Sequence, residues 1–163
     1  MKTLALRAFG EMAVQDRPEP TPGAGEVLIR IVATGICGSD LHGITGENGR
    51  RRPGQVMGHE TVGRVAATGP GVTGFRTGQP VTVNPVLSCQ SCGRCATGRE
   101  HTCPNRRVIG VHPEIVSAFA EFLVAPERNV VSLPAAMPIE YGALVEPARG
   151  RVPRRAAWPM WAR

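Results

Sequence analysis

Pro18-Glu19-Pro20-Thr21-Pro22-Gly23-Ala24-Gly25 is followed, after Glu26, by Val27-Leu28-Ile29-Arg30-Ile31-Val32-Ala33-Thr34. The first stretch is turn material and the second an apolar, β-branched run, which predicts a strand over 27–34. The same punctuation recurs downstream. Thr61 to Ala67 predicts a second strand, closed by Gly69-Pro70-Gly71, Val81-Thr82-Val83 a third, and Ala118 to Val124 a fourth. Short strands separated by glycines point to a mainly β fold, a small barrel or sandwich. Pro138 to Val145 predicts a short helix with Pro138 in its first turn. Glu146-Pro147 is expected to end it, because the residue before a proline is disfavoured in the helical region. There is no internal repeat.

Residues 88–107 have a different composition. Cysteine, glycine, arginine and polar residues dominate, so the segment has little with which to pack a core. Such a lobe needs a metal to hold its shape. Within it, Cys89, Cys92, Cys95 and Cys103 follow the spacing Cys-x2-Cys-x2-Cys-x7-Cys. Four thiolates close a tetrahedral zinc site, and a closed site serves folding rather than catalysis. Zinc ribbons of nucleic-acid modules pair their two knuckles more evenly. A second candidate set lies upstream, with Cys37, His59 and Glu60. A catalytic zinc keeps one position open, and here a thiolate, an imidazole and a carboxylate are available. Either Glu60 or Glu146 could supply the carboxylate.

The 163 residues amount to one domain or to part of a larger protein. The net charge of +6 is concentrated at the C-terminal end. Residues 1–148 carry 14 basic and 13 acidic side chains; Arg149, Arg151, Arg154, Arg155 and Arg163 account for the other five charges. A near-neutral body with a short arginine tail is not a nucleic-acid face. No window is long and apolar enough to cross a bilayer, and Met1 to Gly10 has no secretory pattern. A cytoplasmic protein is expected. Five cysteines without a secretory signal favour metal ligation over disulfides.

Three segments together resemble the N-terminal, GroES-like catalytic part of the zinc-dependent medium-chain alcohol dehydrogenases. They are Gly35-Ile36-Cys37-Gly38-Ser39-Asp40-Leu41-His42, then Gly58-His59-Glu60-Thr61-Val62-Gly63, then the cysteine lobe, with Gly69, Gly71 and Gly78 continuing the pattern. The resemblance runs from about Met1 to Ala148. It implies a partly open GroES-like β-barrel with short helices and a zinc lobe over 88–107.

The resemblance also implies roles. Cys37 and His59 match catalytic-zinc ligands, and Glu60 matches a glutamate that binds that zinc or lies just outside it. Asp40 matches the carboxylate that orients the histidine. Ser39 matches the hydroxyl that bonds the substrate oxygen, and His42 a carrier of its proton to solvent. Cys89, Cys92, Cys95 and Cys103 match the structural-zinc ligands, giving two Zn²⁺ per chain. Leu144-Val145-Glu146-Pro147 is similar to the sorbitol and polyol branch, in which the glutamate reaches zinc directly or through water.

The implied activity is NAD(P)-dependent oxidation of a small alcohol, polyol or sugar acid to the carbonyl, in homo-oligomeric relatives that use neither nucleic acid nor membrane. Relatives continue into a Rossmann domain that binds NAD(P), and no such domain occurs in these 163 residues. Arg149 to Arg163 departs from the family pattern as an Arg/Pro/Trp-rich stretch, read as a disordered tail from a shifted reading frame. The expectation is that this chain alone is inactive or nearly so. The alternatives are a non-catalytic zinc-binding GroES-like module and a chaperonin-like partner.

Overall fold

A computed structural model of the chain describes residues 1–47 and 49–149. Most of the stretch read as a disordered tail, 150–163, lies outside the described residues. The fold is mainly β, as predicted. Strands β1 (Lys2–Ala8) and β2 (Glu11–Asp16) form an antiparallel hairpin. Strands β3 (Glu26–Gly35), β4 (Glu60–Thr68), β5 (Pro80–Val83), β8 (Phe122–Pro126) and β9 (Val130–Ser132) form a five-stranded antiparallel sheet in the order β8-β3-β4-β5-β9. Strands β6 (Val86–Leu87) and β7 (Arg107–Val108) pair across the neck of the cysteine lobe. Helix α1 (Gly38–Thr45) follows β3 directly.

The core lies where apolar residues of the sheet meet the segment after the lobe. Val27, Ile29, Val65, Val81, Val83, Leu123 and Ala125 pack with Ile109, Ala118 and Val130. Val27, Leu28 and Ile29 are all buried in succession, because β3 is covered on both faces where it crosses the centre. Burial of such side chains contributes about 1.5–3 kcal/mol each.

Two expectations are corrected. The fourth strand begins at Phe122, not Ala118. Residues 118–120 spend their backbone groups elsewhere: Ala118 and Phe119 donate to the carbonyls of Gly58 and Met57, and the Phe119 carbonyl accepts from Leu4. The segment thus joins β1 to the Gly58-His59 turn. The C-terminal helix also differs. Ile139–Leu144 is a 3₁₀ helix with Pro138 as its N-cap, and Val145–Arg149 continues as helix α3 through Pro147. Pro147 fits there because a first-turn residue has no intrahelical partner for its N–H. Glu146 therefore begins a helical turn instead of ending one, and Arg149 belongs to that helix rather than to a tail.

Candidate metal centres

The lobe spanning 88–107 has only two buried residues, Ser88 and Cys103. Helix α2 (Gly93–Ala96) starts from Cys92 as its N-cap and carries Cys95, so one turn of backbone presents two thiols to a common centre. Their sulfurs are 3.5 Å apart. Cys103 Sγ is 3.5 Å from Cys89 Sγ and 3.9 Å from Cys92 Sγ, and Cys89 Sγ is 4.0 Å from Cys95 Sγ. Zn–S bonds near 2.3 Å in a tetrahedron place sulfurs about 3.8 Å apart. The thiols are unpaired by disulfides and have the separation that one zinc requires.

The electrostatics of the four are unequal. The backbone N–H of Ser91 stabilises the Cys89 thiolate and, with the Ser91 side chain and Cys103, draws its pKa down to about 5. The Cys95 amide lowers Cys92. Burial pushes the Cys95 thiol up to about 12, aided by Cys92 and Cys103. A lobe with one thiolate already formed and another thiol resistant to ionisation gains its final charge when a cation arrives.

The second set is built where β3 ends and β4 begins. Gly35, the last residue of β3, pairs with Glu60, the first of β4. A Cβ on Gly35 would collide with the Glu60 carboxylate, so glycine leaves that carboxylate room. Cys37 is the extended N-cap of α1, and its backbone N–H donates to Asp40 Oδ2 at 3.2 Å. His59 follows Gly58, which has φ of +92°, a left-handed conformation open to glycine. Gly58 also packs so closely on Phe119 that its Cβ would lie 2.6 Å from the ring. One ligand atom from each of Cys37, His59 and Glu60 lies within 4.8 Å of the others. His59 and Glu60 are buried, and Cys37 is half-buried.

His59 Nδ1 faces Asp40 Oδ2 at 3.8 Å, leaving Nε2 as the ring nitrogen for a metal. This is the placement by which a carboxylate orients a metal-bound imidazole. Asp40 is fully buried and has a second neighbour, Arg51 Nη2, 3.6 Å from Oδ1. Burial pushes the Arg51 guanidinium pKa down, while Asp40 opposes that shift.

The structure places the other predicted residues as follows. Ser39 is half-buried in the first turn of α1, two positions after Cys37. His42 is exposed one turn later, its Nδ1 2.7 Å from Glu47 Oε2. Glu146 is not brought into the Cys37, His59 and Glu60 group. It lies on α3, beside a small cleft lined by Thr82, Val83, Asn84 and Val131. Sequence reading missed Arg51. Nothing in Arg50-Arg51-Arg52 marks the middle residue as the inward one; the space for it comes from Gly43, whose Cβ would lie 2.6 Å from Arg51 Cγ.

Residues 23–135 match the family model described as the alcohol dehydrogenase GroES-like domain. The chain belongs to that family. This bears out the resemblance to the zinc-dependent medium-chain alcohol dehydrogenases. L-threonine 3-dehydrogenase of Stenotrophomonas maltophilia (strain K279a) is 42% identical over 151 residues, covering 90% of this chain and 44% of its own length. The crystal structure of galactitol-1-phosphate dehydrogenase from Escherichia coli superposes with a TM-score of 0.84 at 35% identity, covering 90% of this chain and 42% of that one. A crystal structure of a short chain alcohol dehydrogenase (rspB) from E. coli CFT073, complexed with NADH, gives 0.82 at 37% identity, with the same coverage of 90% and 42%. The chain thus spans less than half the length of the curated relatives it matches. Among the described residues, no helix is long and apolar enough to cross a membrane.

Proposed function

We propose that residues 1–148 are the zinc-holding catalytic domain of an NAD(P)-dependent dehydrogenase acting on a small alcohol or polyol. The convergence of Cys37, His59 and Glu60, with His59 Nδ1 turned to the buried Asp40, carries this reading. Cys89, Cys92, Cys95 and Cys103 hold a second, structural zinc that shapes the 88–107 lobe.

A zinc ion at the first set supplies a Lewis acid that makes a substrate hydroxyl more acidic. The chain's own residues do the rest. Cys37 contributes a soft anionic ligand, and Asp40 fixes the ring of His59. Glu60 provides a carboxylate that ligates or waits just outside. Ser39 relays the hydroxyl proton, accepting it while giving up its own toward exposed His42, which, held by Glu47, releases a proton to solvent. Nicotinamide cofactors accept the hydride. The polyol assignment is supported by the galactitol-1-phosphate dehydrogenase relative.

Metal analysis of the purified chain tests this. Two zincs are expected, one lost in Cys37→Ser and the other in Cys92→Ser. A single zinc untouched by Cys37→Ser would remove the catalytic assignment.

A further inference from the structure

Arg50, Arg51 and Arg52 are consecutive but serve two sides of one loop. Arg51 points inward to Asp40. Arg50 and Arg52 line an open cleft of about 550 Å³, together with Arg106, Val108 and His112. The cleft has a small molecule's dimensions. No carboxylate lines it. Three acids near the two segments are engaged elsewhere: Glu47 with His42, Glu114 with Arg107, and Asp40 with Arg51. Neither Arg52 nor Arg106 takes part in an ion pair among the described residues. Arg106 is steadied by donating from Nη1 to the Cys103 carbonyl at 3.3 Å. In a body whose charges otherwise balance, this concentration is local.

His112 adds direction. Its Nδ1 accepts from the Val108 backbone N–H at 2.9 Å, so the neutral ring carries its proton on Nε2 and offers a donor. The guanidinium groups of Arg52 and Arg106 and one imidazole donor in a concave site match a tetrahedral oxyanion, which guanidinium forks bind through paired N–H groups.

The cleft also abuts the first metal set. Gly110 packs so closely on the Gly58-His59 turn that its Cβ would lie 2.7 Å from the Gly58 carbonyl oxygen and 3.1 Å from His59 Cβ. The Val111 carbonyl accepts from Gln55 Nε2 at 3.1 Å and from Arg51 Nη1 at 3.5 Å. One segment, 110–112, therefore backs His59 and lines the cleft.

We propose that the cleft between the 50–52 loop and the 104–113 segment binds the phosphate group of a small phosphate monoester. Its assignment to the substrate rests on the dehydrogenase reading; binding itself does not. The test is calorimetric titration of the zinc-loaded chain with sorbitol 6-phosphate, inorganic phosphate and sorbitol. The ester is expected to bind at least about tenfold tighter than sorbitol, with inorganic phosphate competing. Arg52→Gln and Arg106→Gln should each weaken the ester by about tenfold, with zinc content unchanged. An ester no tighter than sorbitol, or wild-type affinity for the ester in both variants, would overturn the proposal. So would an oligonucleotide that outcompetes the ester through the same arginines. Loss of the dehydrogenase reading would appear separately, as a zinc stoichiometry unaffected by Cys37→Ser.

Discussion

Arg51 Nη2 lies 3.6 Å from Asp40 Oδ1, and both side chains are almost wholly removed from solvent, at 1% and 0% exposure. The same carboxylate faces His59 through Oδ2 and accepts from the Cys37 amide. Asp40 thus ties two candidate metal ligands to a buried cation, so that a charge in the interior fixes the geometry of a site at the end of the sheet.

Arg51→Gln is expected to leave Asp40 as an uncompensated buried charge, at a cost of about 3–5 kcal/mol. Asp40→Asn in the same chain should recover part of that loss. Urea denaturation of the two single variants and the double variant measures the coupling. Strict additivity would mean that the two side chains do not interact energetically.

Gly35→Ala pushes a methyl group into the space of the Glu60 carboxylate. Cobalt affinity at the first set should fall by about tenfold or more, with the four-cysteine site unaffected. Competition titration against a chelator reads both sites. An unchanged first-site affinity would exclude Glu60 from metal binding.

Zinc binding to the lobe is expected to release protons at neutral pH. Cys95, pushed up to about 12 against an ordinary 9.0, is a thiol there and must give up its proton to ligate. Cys89, drawn down to about 5, is already a thiolate and stays so until the pH falls through that value. The sign follows: its contribution to metal-dependent stability is present above the ordinary thiol value and is lost as pH drops through about 5. Affinity should therefore rise with pH. Calorimetry in buffers of different ionisation enthalpy counts the protons, and a buffer-independent heat would contradict the Cys95 assignment.

Cys92→Ser is expected to open residues 88–107 to protease while leaving the five-stranded sheet protected, because the lobe buries only Ser88 and Cys103. Mass spectrometry of the limited digest locates the cuts. Cleavage spread evenly through the sheet would show that the two parts fold as one unit.

Much of this site could be read before any coordinates. Local runs located β3, β4 and β5, because apolar β-branched segments between turn residues have few alternatives. Cysteine spacing marked the four thiols that the lobe gathers, since one tight loop can present them all. The hairpin β1–β2 went unread, as did the short strands β6, β7 and β9, whose two or three residues carry no periodic signal and depend on partners distant in sequence. The Ala118–Phe119 segment looked like strand, but its hydrogen bonds go to Met57 and Gly58. Arg51 was illegible for a similar reason. Its burial depends on Gly43, eight positions away, having no side chain, and on a carboxylate waiting below.

The sulfur spacing in the lobe has a consequence for redox chemistry. Thiols 3.5–4.0 Å apart need only a small displacement to reach bonding distance, and Cys89 is ionised at neutral pH and therefore nucleophilic. While zinc occupies the centre, its bonds keep the sulfurs apart. A lobe stripped of zinc in air should lose alkylatable thiols in pairs, and the loaded lobe should keep all four. A zinc ion bound there would shape these twenty residues and also act as their antioxidant.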